Sequence, residues 1–442
     1  MQGALAWIVL VAVLAAVLGL GGNREVVWVP MVIVLLVALG MQVLVDMRQP
    51  AAWRAFRKLW LAVLCYLLAL GWVAVQSAPV PLASWAHPAW EAVGLTGTVS
   101  ASPDKTQTGL LRLAAYAAAF WLAVRAAENT VRVSLMVDLI AVFGGALAIY
   151  GLLAWMTGTN PLTGDPAYPG FVTASFVNRN AYALYASIGC MACLTAIAMR
   201  LPDSAAEGLA RSVAMREFLE TLTRTAWPFT LGAILCGLAM LLTGSRAGAL
   251  CGLLGIAMVL MSMVGRHLGR RSAFFVLLLL LIVPGALVPV LTERLAGLDP
   301  LEDQRLHLYG LVMHGISDRP LLGHGLGAFQ ESFRAYIDTE LGSQEWDMAH
   351  SSYLENAWEL GIPAALALTL APVLIVGQIA MGLAKRKRMR PVLLLALGVG
   401  LAGGIHAAVD FSLQMPATAA LFAIVLGLGW GLVGRPPARG SG

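Results

Sequence analysis

The run PFTLGAILCGLAMLLTGSRAGALCGLLGIAMVLMSMV, residues 228–264, decides how the chain folds. Its one charged residue is Arg246. A helix crosses a bilayer in about 17–25 residues, so the run is too long for a single span. The interruption at Gly244-Ser-Arg-Ala-Gly248 predicts two spans, 228–243 and 247–264, joined by a tight turn. Comparable apolar runs recur on both sides. They predict further spans at 4–21, 27–45, 59–76, 110–126, 133–157, 181–199, 273–291, 362–383, 391–409 and 416–434. The 442 residues are 59% hydrophobic and 12% charged, whereas a soluble domain carries about 25% charged residues. The composition excludes a soluble enzyme and predicts an all-α polytopic membrane protein of about twelve transmembrane helices. The apolar N-terminus lacks a basic n-region and a small-residue cleavage site, so it reads as the first span and not as a signal peptide.

Charge orients the spans. With the N-terminus in the cytoplasm, the segments 46–58, 125–138, 200–224, 265–271, 384–390 and the C-terminal tail carry 20 Lys/Arg and 7 Asp/Glu. The remaining residues carry 9 Lys/Arg and 17 Asp/Glu. Such a bias follows the positive-inside rule and places both termini in the cytoplasm. It also accounts for the pI near 9.1 without a nucleic-acid partner, and makes the basic run 385–390 a topology signal. The chain then divides into residues 1–291, nine spans with short loops; 292–361, a large outer loop bearing short helices; and 362–442, three spans and a cytoplasmic tail.

On the acidic outer side few cations sit at span ends or turns. Among them are Arg179 in Phe176-Val-Asn-Arg-Asn180, Arg246 in the tight turn and Arg305 in the large loop. An arginine at the bilayer midplane costs about 2.5–3.5 kcal/mol on insertion scales, and such residues often mark a substrate path. In the loop, residues 302–316 predict a helix with Arg305, Leu308, Tyr309 and Val312 on one stripe. Gly323-His-Gly-Leu-Gly327 predicts a turn. Residues 328–338 predict an amphipathic helix, with Phe329, Phe333, Tyr336 and Ile337 facing the bilayer or capping the bundle. The loop 77–109, with Trp85 and Trp90, suits an interfacial belt. Within 348–363, Ser352-x-x-Glu355 reads as a capping box that starts a helix near Ser352. Gly361 suits its C-cap, and Pro363 the first turn of the next helix. His350 then stands at the mouth of a short helix whose free N–H groups favour an anion.

The other histidines read as structural, and His406, about one turn before Asp410, is placed to pair with it. The five cysteines all fall in apolar runs and form no metal-binding pattern. Asp299-Pro-Leu-Glu302-Asp303 matches no standard ligand spacing and reads as a solvated turn. The chain has no P-loop, dinucleotide fingerprint or His-Glu-x-x-His motif. A histidine can accept a hydroxyl proton near neutral pH, and arginine forks can neutralise a diphosphate leaving group. Outside the cytoplasm there is no nucleotide pool, so a diphosphate there is lipid-borne. This chemistry predicts sugar transfer from a polyprenyl-diphosphate carrier. A lipid-linked saccharide transporter is the competing class. It would need polar residues at mid-span, and the apolar runs carry few beyond Asp138.

Four stretches resemble the O-antigen ligase and Wzy-type polymerase superfamily of bacterial membrane glycosyltransferases, over about 150–415. They are Phe176-Val-Asn-Arg-Asn180, Leu242-Thr-Gly-Ser-Arg-Ala-Gly248, Arg305 followed by Pro320-Leu-Leu-Gly-His-Gly-Leu-Gly-Ala-Phe329, and His350-Ser-Ser-Tyr-Leu-Glu-Asn-Ala-Trp-Glu-Leu-Gly361. Ser351 stands where many members have asparagine. The resemblance implies a C-type glycosyltransferase (GT-C) fold in the inner membrane, with its site facing the periplasm. It implies an undecaprenyl-diphosphate-linked glycan donor, inversion at the anomeric carbon, and neither metal nor cofactor. By motif, Arg179, Arg246 and Arg305 would bind the donor diphosphate, and His350 would activate the acceptor hydroxyl. Asn180, Glu355 and Asp410 are further candidates. The acceptor is lipid A–core in a ligase, a second carrier-linked repeat in a polymerase, and a protein hydroxyl in a third branch. The reading leans slightly to the ligase.

Overall fold

The computed structural model describes residues 2–79, 83–161, 164, 166, 168–202, 211–267, 304–342, 345–383 and 389–434. The predicted span 273–291, the acidic turn 299–303 and most of the basic run 385–390 lie outside them. In the first half, the helices are α1 (Gln2–Leu18), α2 (Glu25–Asp46), α3 (Pro50–Lys58), α4 (Trp60–Ser77), α5 (Pro88–Ala92), α6 (Pro103–Ala126), α7 (Thr130–Thr157) and α8 (Arg179–Ala198). Then come α9 (Arg211–Glu220), α10 (Trp227–Leu242), α11 (Arg246–His267), α12 (Arg305–Asp318), α13 (Phe329–Phe333), α14 (Ser352–Leu360), α15 (Ile362–Gly382), α16 (Arg390–His406) and α17 (Pro416–Val433). The described residues contain no named strand.

Local chemistry sets many of the ends. Prolines occupy the first turns of α6, α10, α15, α16 and α17, where the missing N–H removes no helical bond. Asn129 caps α7 and Asn178 caps α8 through their side-chain oxygens. Among the described residues, seven helices are long and apolar enough to cross a membrane, namely α2, α4, α6, α7, α8, α15 and α17. An eighth is a bent pair, Met215–Thr225 with Trp227–Leu242, kinked by 85°. Three shorter apolar helices, Gly3–Leu18, Arg246–Met261 and Arg390–His406, accompany them among the described residues. The protein is therefore a membrane protein, all-helical among the described residues. The run 228–264 does divide into two helices, with Gly244 left-handed (φ +65°) at the break. Helix α6 starts seven residues before the predicted span, at Pro103, and α16 stops at His406, which leaves Asp410 in a loop.

The centre is α8, 94% buried along its apolar window, followed by α17 at 83%; α4 and α15 lie at the periphery at 28% and 22%. Helix α8 packs against α7, α10, α11 and α16, and α17 against α6, α1, α15 and α16. Small residues allow this approach. A Cβ on Gly144 would fall 2.8 Å from the Gly189 Cα. The charge within α7 is neutralised, since Arg200 grips Asp138 with both terminal nitrogens at 2.9 and 2.7 Å.

Residues 304–361 build their own small core over one end of the bundle. Leu308 and Val312 of the predicted α12 stripe, joined by Ile316, close on Phe329, Phe333, Leu341, Trp346, Ala349 and Trp358. The predicted helix 328–338 is cut short. It is helical only over Phe329–Phe333, followed by a 3₁₀ turn, Arg334–Tyr336. Its aromatic face does not lie on lipid. Phe329 and Phe333 pack edge-on to Trp358, and the Tyr336 hydroxyl donates to Asp318. Trp358 is fully buried, stacks on His324 and donates its indole N–H to Ser332. Trp358→Ala is expected to cost about 3–5 kcal/mol of stability, measured as a lowered unfolding midpoint of the detergent-solubilised protein.

Candidate functional site

His350 is held by three elements. Its backbone is left-handed (φ +54°), an uncommon conformation for a residue with a side chain. The Tyr309 hydroxyl, one turn after Arg305 on α12, donates to the His350 carbonyl at 2.9 Å. The imidazole lies edge-on to Phe411 at 5.1 Å and to Trp346 at 6.1 Å. Helix α14 starts directly after it, but the cap is Ser351, whose hydroxyl accepts from Leu354 N. This corrects the predicted box on Ser352. Ser352 turns away instead and ties the turn to the α16–α17 loop, its hydroxyl donating to the Asp410 carbonyl and its N–H to the Ala407 carbonyl. Gly361 ends the helix at φ +76° as predicted, and Pro363 lies in the first turn of α15.

Asp410 joins the pieces. Its carboxylate accepts from the Asn180 amide at 2.8 Å and from the Ser412 hydroxyl at 2.6 Å. His406, expected to pair with it, makes no hydrogen bond to it; neither ring nitrogen has a hydrogen-bond partner among the described residues. Because α16 ends at His406, the chain from 407 to 411 carries Asp410 towards Asn180. Arg305 acts electrostatically on Tyr309 and His406, as does Asp410, so the four groups share one neighbourhood. The Arg305 Nε is buried and makes no hydrogen bond among the described residues.

Arg179 and Asn180 open α8. The Asn178 cap accepts from Asn180 N and Ala181 N, which fixes the turn so that Asn180 meets Asp410. Arg179 lies over the Phe171 ring at 4.0 Å, and its Nη1 would be 3.5 Å from a Cβ placed on Gly244. It therefore lies against the turn that leads into Arg246, the first residue of α11. The sequence pointed to Arg179, Arg305, His350 and Asp410 but passed over Tyr309 as a site residue, and Ser412 entirely. Tyr309 was visible on the Arg305 stripe; nothing marked Ser412.

Glu355 fixes the approach to His350 from the other side. It accepts from Ala349 N at 2.7 Å and from the Gln414 side chain. Burial first, and then neighbouring Glu359, hold its carboxyl well above the usual range. Glu359, pushed up by burial to about 7, accepts from the N–H groups of Gly327 and Phe329 and so clasps the glycine turn. Among the described residues no three His, Cys, Asp or Glu side chains stand together as a metal-binding group.

The glycine turn is locked by a relay of imidazoles. The Ala89 N–H donates to His87 Nδ1. His87 Nε2 lies 2.9 Å from His324 Nδ1, and His324 Nε2 lies 3.1 Å from the Gly315 carbonyl. One proton arrangement satisfies every pair: Nε2–H on both rings. A further proton would set two donors head to head. Burial, with the partner ring next, holds His87 down at about 3, and burial holds His324 at about 4. Both values lie below the ordinary 6.5, so the stability these rings contribute is complete above about 6.5 and is lost as pH falls towards 4. The unfolding midpoint is expected to fall through that window. In His87→Gln, which keeps a donor for His324, the fall should be shallower; an unchanged acid limb would contradict the relay.

The fold and this cluster define a polytopic helical membrane protein with arginines and a strained histidine gathered at one end. Residues 231–369 match the family model Wzy_C, described as O-antigen ligase. The match covers less than half of the chain and supports the resemblance to the O-antigen ligase and Wzy superfamily over that stretch. The match contains Arg246, Arg305, His350 and Glu355, and leaves out Arg179, Asn180 and Asp410. It is narrower than the 150–415 spanned by the motifs. No curated protein matches the chain.

Proposed function

We propose that the protein transfers a glycan from an undecaprenyl-diphosphate carrier to an acceptor hydroxyl at the periplasmic face of the inner membrane, within a twelve-span GT-C architecture. In this reading residues 292–361 form the periplasmic part, between spans one to nine (1–291) and ten to twelve (362–442). The observation that carries it is the convergence on Asp410 of Asn180, next to Arg179, and of Ser352, two residues after His350, with Tyr309 of the Arg305 helix bonded to the His350 carbonyl. Arg179, Arg246 and Arg305 bind the donor diphosphate and take up the charge that develops on it. His350 accepts the acceptor proton. The acceptor oxygen bonds to the anomeric carbon on the face opposite the carrier, the bond from that carbon to the carrier diphosphate breaks, and the configuration inverts. No metal is assigned a part. Asp410 and Asn180 position the clamp, and Glu355 positions His350.

Arg179→Lys keeps the charge but removes the fork. It is expected to lower transfer by about tenfold or more, measured with purified protein and lipid-linked glycan. Full activity in that variant would count against a diphosphate clamp at Arg179.

A further inference from the structure

Arg112 lies apart from this cluster. It stands roughly 13 Å along α6 from Pro103, and its guanidinium covers the Trp28 ring of α2 at 4.3 Å. Its Nε is buried without a hydrogen bond among the described residues. Glu25, in the first turn of α2, acts on it electrostatically, but no ion pair to Arg112 occurs among the described residues. A cation held in an apolar bundle with no paired carboxylate is costly unless an anion reaches it.

That anion has a route. Arg112 lines a groove of about 1360 Å³ between α2, α4 and α6 on one side and α15, α16 and α17 on the other. The walls are mostly apolar, with Leu39, Leu67, Phe120, Val376 and Leu426 among them. The lining runs from Asn23 and Glu25 at one end of α2 to Asp46 and Met47 at the other. The 22 residues of α2 extend about 33 Å, the full depth of a hydrocarbon core of about 30 Å. The acyl tails of a phospholipid or of lipid A fill one leaflet, about half of that depth. A groove lined through both leaflets, with a cation near one end, fits a longer chain bearing one anionic head. Arg179, Arg246, Arg305 and His350 do not line it, but Met348 and Ser352 do, on either side of His350. The groove thus reaches the residues that flank His350.

We propose that this groove is a second lipid site, holding a polyprenyl phosphate chain with its phosphate on Arg112. Its role as the acceptor site rests on the transferase reading. The acceptor hydroxyl then belongs to a glycan on a second carrier, which makes the reaction a polymerisation and not a transfer to lipid A–core.

The test uses the full-length protein in lipid nanodiscs with undecaprenyl monophosphate as the probe, counted by native mass spectrometry. The wild-type chain should retain two probe molecules. Arg112→Gln should retain one, with the lost site weakened at least about tenfold, since a buried charge-assisted contact to phosphate disappears. Leu67→Trp should also retain one, because Leu67 is exposed and lines the groove, so added bulk narrows the groove without entering the core. This variant decides the matter if Arg112→Gln does not fold. Arg305→Ala should lose the other molecule. Two molecules retained in both groove variants would overturn the proposal, as would equal retention of phosphatidylglycerol at the Arg112-dependent site. A wild-type chain that holds two carriers yet transfers nothing would remove the transferase reading and leave the second lipid site standing.

Discussion

His350→Ala is expected to reduce glycan transfer by about 10²–10⁴-fold, the range over which a positioned general base acts. Expression and membrane insertion should be unchanged. The side chain carries no packing load comparable with Trp358, which is fully buried in the loop core. What holds the turn is backbone and neighbours: the Tyr309 bond to the His350 carbonyl, the Ser351 cap, and Glu355 on Ala349 N. All three survive truncation at Cβ. The left-handed φ at His350 also becomes no worse with alanine, since both residues carry a Cβ. The substitution therefore removes the imidazole and leaves its frame, so a loss of transfer without a loss of stability assigns the effect to chemistry. Transfer at the wild-type rate would remove His350 from the base role.

Arg305→Ala is expected to cost transfer about 10²–10³-fold, as does loss of one donor to a charge developing in the transition state. Arg305→Lys should recover little of it, because an ammonium supplies a point charge where a fork is required. The Arg305 Nε is buried with no hydrogen-bond partner among the described residues. Its neighbours Tyr309, His406 and Asp410 tie it to the turn below His350. Steady-state kinetics with varied lipid-linked donor separate two roles. A clamp that tightens in the transition state lowers kcat, whereas one that only holds the ground state raises KM. The larger effect is expected on kcat.

Much of this was legible in the sequence because a membrane constrains a chain so narrowly. Long apolar runs have one solution, and residues 228–264 had to break where Gly244, Ser245 and Arg246 interrupt them. Gly361 was readable as a cap because it alone at that point suits positive φ. The one-residue shift of the cap from Ser352 to Ser351 was not readable. Adjacent serines offer the same chemistry, and the choice depends on Asp410, 58 residues away, engaging Ser352. The shortened helix at 329–333 failed for a related reason. Its aromatic stripe has the helical period whether it meets lipid or Trp358, and periodicity does not name the partner. Arg112 was unremarkable in the sequence because it falls near one end of the predicted span 110–126, where a single arginine reads as an interfacial, snorkelling residue. Only the position of Trp28 and the groove beside it gives the arginine a meaning. The arginines and His350 were found by type and place, yet the Asn180–Asp410 bond that joins their elements spans 230 residues and could emerge only from the fold.

In the proposed reaction this site breaks a glycosyl–diphosphate bond. The direct measurement is the fate of the carrier in proteoliposomes containing the wild-type protein, an undecaprenyl-diphosphate-linked glycan and its acceptor. Free undecaprenyl diphosphate is expected in step with glycan gained by the acceptor, with both absent in His350→Ala. Glycan-lipid that crosses the bilayer intact, with no carrier released, would contradict it.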